Sequence, residues 1–104
     1  MLAILERPPG GTLKVGALEV DLDAYVARLE GVPLSLTSSE TELLALLISN
    51  SRRVIDRTEL ARAIGLRQAR SVDVLLSSLR HKMGRDFLRN VRGRGWIIDT
   101  GTLS

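Results

Sequence analysis

Between Ala69 and Met83, the apolar residues Val72, Leu75, Leu76, Leu79 and Met83 fall at i, i+3, i+4, i+7 and i+11. That spacing is one stripe of an α-helix and predicts a helix over the whole stretch. The opposite side carries Arg70, Asp73, Val74, Ser77, Ser78 and His81, with Arg80 and Lys82 at the flanks. Such a helix can seat its stripe on a core and still present a small, polar, basic face to an anionic partner. The fold must therefore cover this helix on one side and leave the other bare.

Shortly after it comes Asn90-Val91-Arg92-Gly93-Arg94-Gly95-Trp96. Phe87–Val91 and Trp96–Asp99 have strand character, and the Gly-rich turn between them makes a β-hairpin the natural reading. Two arginines alternating with glycines at a hairpin tip favour a nucleic-acid contact over plain solvated turn residues.

The segments upstream read as scaffold. Pro8-Pro9-Gly10-Gly11 can continue neither a helix nor a central strand, so residues 1–12 are predicted to be a linker or tail and 13–104 one domain. Short segments with strand character follow at Leu13–Val15, Leu18–Leu22, Tyr25–Leu29 and Val32–Leu36. Leu18, Val20 and Leu22 alternate with Glu19 and Asp21, the period of a strand with one buried face. Turn signals at Gly16, Asp23-Ala24 and Glu30-Gly31 make the four an antiparallel meander.

Thr37-Ser38-Ser39-Glu40 fits a capping box opening a helix whose Leu43, Leu44, Leu46, Leu47 and Ile48 read as core, with an end near Asn50-Ser51. Arg52-Arg53-Val54-Ile55 is a short connector. Asp56-Arg57-Thr58-Glu59 repeats the cap pattern with a carboxylate for the hydroxyl, opening a second helix that stops at Gly65. Leu66-Arg67-Gln68 leads directly into the amphipathic helix. Two helices joined by a short turn, the second basic on its free side, form a helix-turn-helix; a hairpin immediately afterwards is the wing of a winged helix. Tyr25, Phe87 and Trp96, the only aromatic residues, are expected in the core, which disfavours single-strand or RNA platforms that need exposed rings.

Charge sharpens the functional reading. Residues 1–51 hold three Lys/Arg and seven Asp/Glu, a balance of −4, whereas residues 52–104 hold twelve and five, a balance of +7. A solubilising surface would mix the signs. Cations gathered around an amphipathic helix suit a phosphate backbone, from which each of them displaces condensed counterions.

Other functions find little support. Cysteine is absent, His81 is the only histidine, and no nucleophile lies beside a base. Arg92-Gly93-Arg94-Gly95 is too short and too late in the chain for a dinucleotide fingerprint. The expectation is a chain that is not an enzyme and needs no metal or cofactor. No apolar run approaches the length of a membrane span and no charged-then-apolar leader opens the chain, so a cytoplasmic protein with no membrane partner is expected.

Four motifs occur in order: Leu36-Thr37-x-x-Glu40-x-x-Leu43-Leu44; Arg57-x-x-Leu60; Ser71-Val72-Asp73-Val74 followed by Leu79-Arg80-x-Lys82; and Val91-Arg92-Gly93-x-Gly95-Trp96. Together, over residues 13–99, they resemble the OmpR/PhoB family of winged-helix DNA-binding domains, the output domains of two-component response regulators. The resemblance implies an α+β fold: an N-terminal four-stranded antiparallel sheet, three helices and a C-terminal β-hairpin wing. It implies sequence-specific binding of double-stranded DNA in bacterial transcription regulation. Val74, Ser77 and Ser78 would face bases in the major groove, and Arg70, Arg80 and His81 would lie near phosphates or the groove edge. Asp73 would accept from a cytosine or orient a neighbouring arginine, with a first-turn acid favoured by the helix dipole as the structural alternative. Arg92 and Arg94 would enter the adjacent minor groove. RNA polymerase at the Leu66–Gln68 loop, and a second copy bound head-to-tail on direct repeats, are the other partners implied. Family members often carry arginine where Ser77 or Ser78 stands. That departure motivates a second expectation, a winged helix reused as a protein-interaction module. No receiver domain lies in these 104 residues, so the expectation is a fragment of a regulator or a freestanding relative.

Overall fold

The chain builds its first layer from four short strands: β1 (Thr12–Val15), β2 (Leu18–Asp21), β3 (Val26–Leu29) and β4 (Val32–Leu34). They pair antiparallel in chain order, with Val20 opposite both Leu13 and Ala27. The structure, a computed structural model, describes residues 11–51, 53–83 and 88–98. The Pro8-Pro9-Gly10 segment, Arg52, Phe87 and Asp99 lie outside these residues.

The strand alternation predicted from Leu18 and Val20 is present: both are fully buried, while Glu19 and Asp21 are half-exposed. β2 ends at Asp21 rather than Leu22, because the Asp21 carboxylate accepts from the amides of Asp23 and Ala24 and turns the chain. Tyr25 departs from expectation in two ways. It sits at a φ of +53°, so β3 starts one residue later, and it is 43% exposed rather than in the core. Its hydroxyl donates to Glu42 at 2.9 Å, a satisfactory place for an amphipathic ring. Pro33 lies in the edge strand β4, where a missing amide proton is tolerated.

Helix α1 (Ser38–Ser49) opens with the full capping box: Thr37 Oγ1 accepts from the Glu40 amide and Glu40 Oε1 from the Thr37 amide. Its leucines lie in the core, where α1 packs against β1, β2, α3 and β6. Helix α2 (Arg57–Ala63) is capped by Asp56, but the box is not repeated. The shorter carboxylate reaches the Thr58 amide, and Glu59 is drawn to Arg53 instead, 3.4 Å away.

Helix α3 (Ala69–Met83) has the predicted bounds. Val72, Leu76 and Leu79 are fully buried and Met83 nearly so, with Leu75 half-buried at the edge of the stripe. Strands β5 (Leu88–Val91) and β6 (Gly95–Ile98) form the wing. Trp96, 5% exposed, closes the body: it and Ile55 exchange both backbone hydrogen bonds, at 2.7 and 2.8 Å. Gly95 makes that approach possible, since its φ is +140° and a side-chain carbon there would collide with the Ile55 carbonyl.

Candidate nucleic-acid interface

At 3.6 residues per turn, the side chains of α3 divide into four stripes. Val72, Leu76, Leu79 and Met83 face the core. Opposite them run Arg70, Val74, Ser77 and His81, all exposed, with Val74 at 69%. Asp73 and Arg80 lie on one flank, and Ser71, Leu75, Ser78 and Lys82 on the other. The contacts identify the neighbours: the Asp73 flank meets the wing through Trp96, and the Lys82 flank meets α1 through Glu40.

The predicted face of six residues is therefore not one surface. Asp73 stands on the wing flank with both oxygens engaged. Oδ2 accepts from Arg57 Nη1 at 2.6 Å and Oδ1 from Trp96 Nε1 at 3.3 Å. It lies in the second turn, because α3 begins at Ala69, so the reading of Asp73 as a first-turn acid does not hold. Ser77 and Ser78 part company as well. Consecutive helical residues are turned about 100° from each other, so Ser77 is exposed while Ser78 is half-buried on the α1 side. Arg70 is held at 3.0 Å from the Gln68 side chain, which receives its Nε proton.

Beside this face the hairpin tip exposes Arg92 and Arg94. The turn closes through a bond from the Arg94 amide to the Val91 carbonyl, with Gly93 at a φ of +77°. An open cleft of about 510 Å³ separates the tip from α3, lined by Arg57, Asp73, Asn90, Arg94 and Trp96 among others. Arg57, 54% exposed, was legible only as a motif residue, yet it joins α2, α3 and the cleft.

On the opposite flank sits Glu40, 1% exposed. Burial pushes its carboxyl pKa up. The Lys82 ammonium at 2.7 Å, the Thr37 amide and hydroxyl, and the Ser78 hydroxyl outweigh this and hold it below the ordinary glutamate value. Oε2 has no partner of good geometry among the described residues. Glu40 was expected only as a cap; no local signal points to Lys82, 42 residues away.

Among the described residues no group of His, Cys, Asp and Glu is placed to hold a metal ion, and no helix is long and apolar enough to cross a membrane.

The profile of the family described as "Transcriptional regulatory protein, C terminal" matches residues 31–98. The chain is similar to the transcriptional regulatory protein TrcR of Mycobacterium tuberculosis, with 36% identity over 101 residues, covering 90% of this chain and 39% of TrcR. It thus spans about two fifths of that relative's length. Among solved structures it is similar to the DNA-binding domain of CpxR from Escherichia coli: 31% identity, TM-score 0.77, covering 86% of this chain and 96% of that one. It is also similar to the RstA DNA-binding domain of Klebsiella pneumoniae, solved in complex with the RstA box: 25% identity, TM-score 0.76, coverage 86% and 97%.

Proposed function

The chain belongs to the OmpR/PhoB-type family of C-terminal domains of transcriptional regulatory proteins, and from that membership we propose that it binds double-stranded DNA sequence-specifically as an output domain in the bacterial cytoplasm. One observation carries the reading. α3 leaves the stripe Arg70, Val74, Ser77 and His81 bare, and an arginine-bearing hairpin tip stands across one cleft from it. An α-helix fits the major groove, and cationic side chains are drawn to the narrow, negative minor groove alongside.

In this reading Val74 and Ser77 meet base edges from the centre of the stripe. The exposed methyls of Val74 suit a thymine methyl, and the Ser77 hydroxyl can donate or accept. Ser78 reaches the groove only from the flank. Arg70, Arg80 and His81 meet phosphates or the groove edge, and Arg92 and Arg94 enter the minor groove. Asp73 orients Arg57 and the wing rather than contacting a base. Head-to-tail pairing on direct repeats and an RNA polymerase contact at Leu66–Gln68 belong to the same proposal. The exposure of Val74 also supports a second reading, a protein-interaction module, because an apolar side chain left bare suits a protein partner too.

Selection from a random duplex pool, followed by titration at several salt concentrations, tests the reading. The logarithm of affinity should fall linearly with the logarithm of salt concentration, and Arg94→Ala should make that slope shallower, since a cation held in the minor groove also displaces counterions. Binding that ignores both salt and sequence sinks the DNA reading. A partner pulled down equally well after nuclease treatment would then favour the second.

A further inference from the structure

We propose that Glu40 is a positioning residue for DNA recognition: from α1 it captures the Lys82 ammonium, keeping it off the DNA-contacting surface. This rests on the duplex reading above.

Lys82 is a flanking cation on a recognition-type helix and would ordinarily be counted as a phosphate contact. Its Nζ instead lies 2.7 Å from Glu40 Oε1, and its side chain is 33% exposed against 1% for the glutamate. The carboxylate cannot turn to follow a departing lysine, because the same Oε1 also accepts from the Thr37 amide at 2.8 Å. Among the described residues Lys82 is the only cation paired with it. Moving Lys82 to a phosphate would strand a buried carboxylate with one oxygen already lacking a partner. A buried charge that loses its partner costs far more than one solvent-screened phosphate contact returns. Ser78 is half-buried on the same flank, one turn before Lys82. The groove is left to the outer stripe, whose centre carries no positive charge.

The sequence makes the test unusually clean, because Lys14 and Lys82 are its only lysines. Mild acylation with an activated acetate ester, read by peptide mass spectrometry, should label Lys14 well before Lys82, whose ammonium is engaged by Glu40 at 2.7 Å. Adding duplex DNA should leave the Lys82 rate unchanged. In Glu40→Gln, which can keep both bonds of the capping box, Lys82 should label faster and become protected by DNA. Salt titration gives a second readout. Lys82→Met should leave the slope of affinity against salt at its wild-type value. Glu40→Gln should steepen it by about 0.9, and adding Lys82→Met to that variant should remove the gain.

Equal labelling of the two lysines in the native protein overturns the assignment, as does a slope lowered by Lys82→Met or unmoved by Glu40→Gln. If the variants do not fold, the labelling of the native protein with and without duplex decides the matter by itself. Failure of the native protein to bind any duplex overturns the DNA reading and this proposal with it. Binding combined with a fast-labelling Lys82 overturns this proposal alone.

Discussion

Carboxylates fasten both flanks of α3, but they are owned and surrounded differently. On the wing side the carboxylate is the helix's own Asp73, 35% exposed, and its partner Arg57 is 54% exposed. On the α1 side the carboxylate is Glu40, 1% exposed, and the helix supplies the cation. An exposed pair contributes about 0–1 kcal/mol, whereas removing one partner of a buried pair costs about 3–5 kcal/mol. The wing must therefore be fixed mainly by its backbone, through the paired bonds of Ile55 and Trp96, with Arg57 and Asp73 as an adjustable stay. On the other flank the charge itself holds the helix. Under the proposed duplex reading, the exposed stay would let the wing tip adjust to DNA while the buried pair keeps the helix's rotation about its own axis.

Breaking the wing's backbone attachment should produce the largest effect. Gly95→Ala forces a side-chain carbon into the Ile55 carbonyl at a φ of +140°, with backbone on both sides of the clash. Overpacking and strain together should cost about 3–5 kcal/mol in chemical denaturation. A loss below 1 kcal/mol would mean that the wing is not seated through this contact.

Glu40→Ala comes next. It leaves Lys82 without its partner and removes the return bond of the capping box. Lys82 is partly hydrated, so the expected loss is about 2–3 kcal/mol, toward the lower end for buried pairs. Acid should reveal the same interaction. The folded carboxyl is held below its ordinary pKa of 4.5. Its stabilisation is therefore complete above that pKa and lost as pH falls through the lowered folded value. Glu40→Gln should lack this part of the acid dependence in denaturation curves recorded at stepwise lower pH. If Glu40→Ala costs no more than an exposed pair, the contrast between the two flanks disappears.

How far these features could be read from the sequence depended on their range. Period-2 alternation at Leu18 and Val20, the Thr37–Glu40 box and the apolar stripe of α3 are local patterns, and each specified its element to within a residue or two. Hydrophobicity alone sends an aromatic ring inward, but a positive φ at Tyr25 and a hydroxyl bond to Glu42 keep this one at the surface. The sequence presents the polar face of α3 as one half-cylinder, but turns of 100° per residue divide it into an outer stripe and two fastened flanks. What fastens them is separated by 16, 23 and 42 residues, for Arg57–Asp73, Asp73–Trp96 and Glu40–Lys82 respectively. No periodicity extends over such distances. Only the packed fold brings these groups together, so the residues of the α3 face can be listed from the sequence while their grouping into a bare stripe and two fastened flanks cannot.

The smallest expected effect is the sharpest test of the comparison. Arg57→Ala removes a 2.6 Å pair whose members are both substantially hydrated, so denaturation should register a change within about 1 kcal/mol. DNA affinity should respond more strongly. Without Arg57, the Asp73 carboxylate keeps only its bond from Trp96 and leaves its charge unbalanced in the cleft beside Arg94. An uncompensated anion there repels phosphate and weakens the cation across from it. Arg57→Ala combined with Asp73→Asn should recover much of the affinity, because the second change removes the stranded charge. A double variant no better than Arg57→Ala would show that Arg57 acts on the DNA directly. If instead Arg57→Ala costs as much stability as Glu40→Ala, charge fastens both flanks alike, and the wing has no separate freedom to follow its ligand.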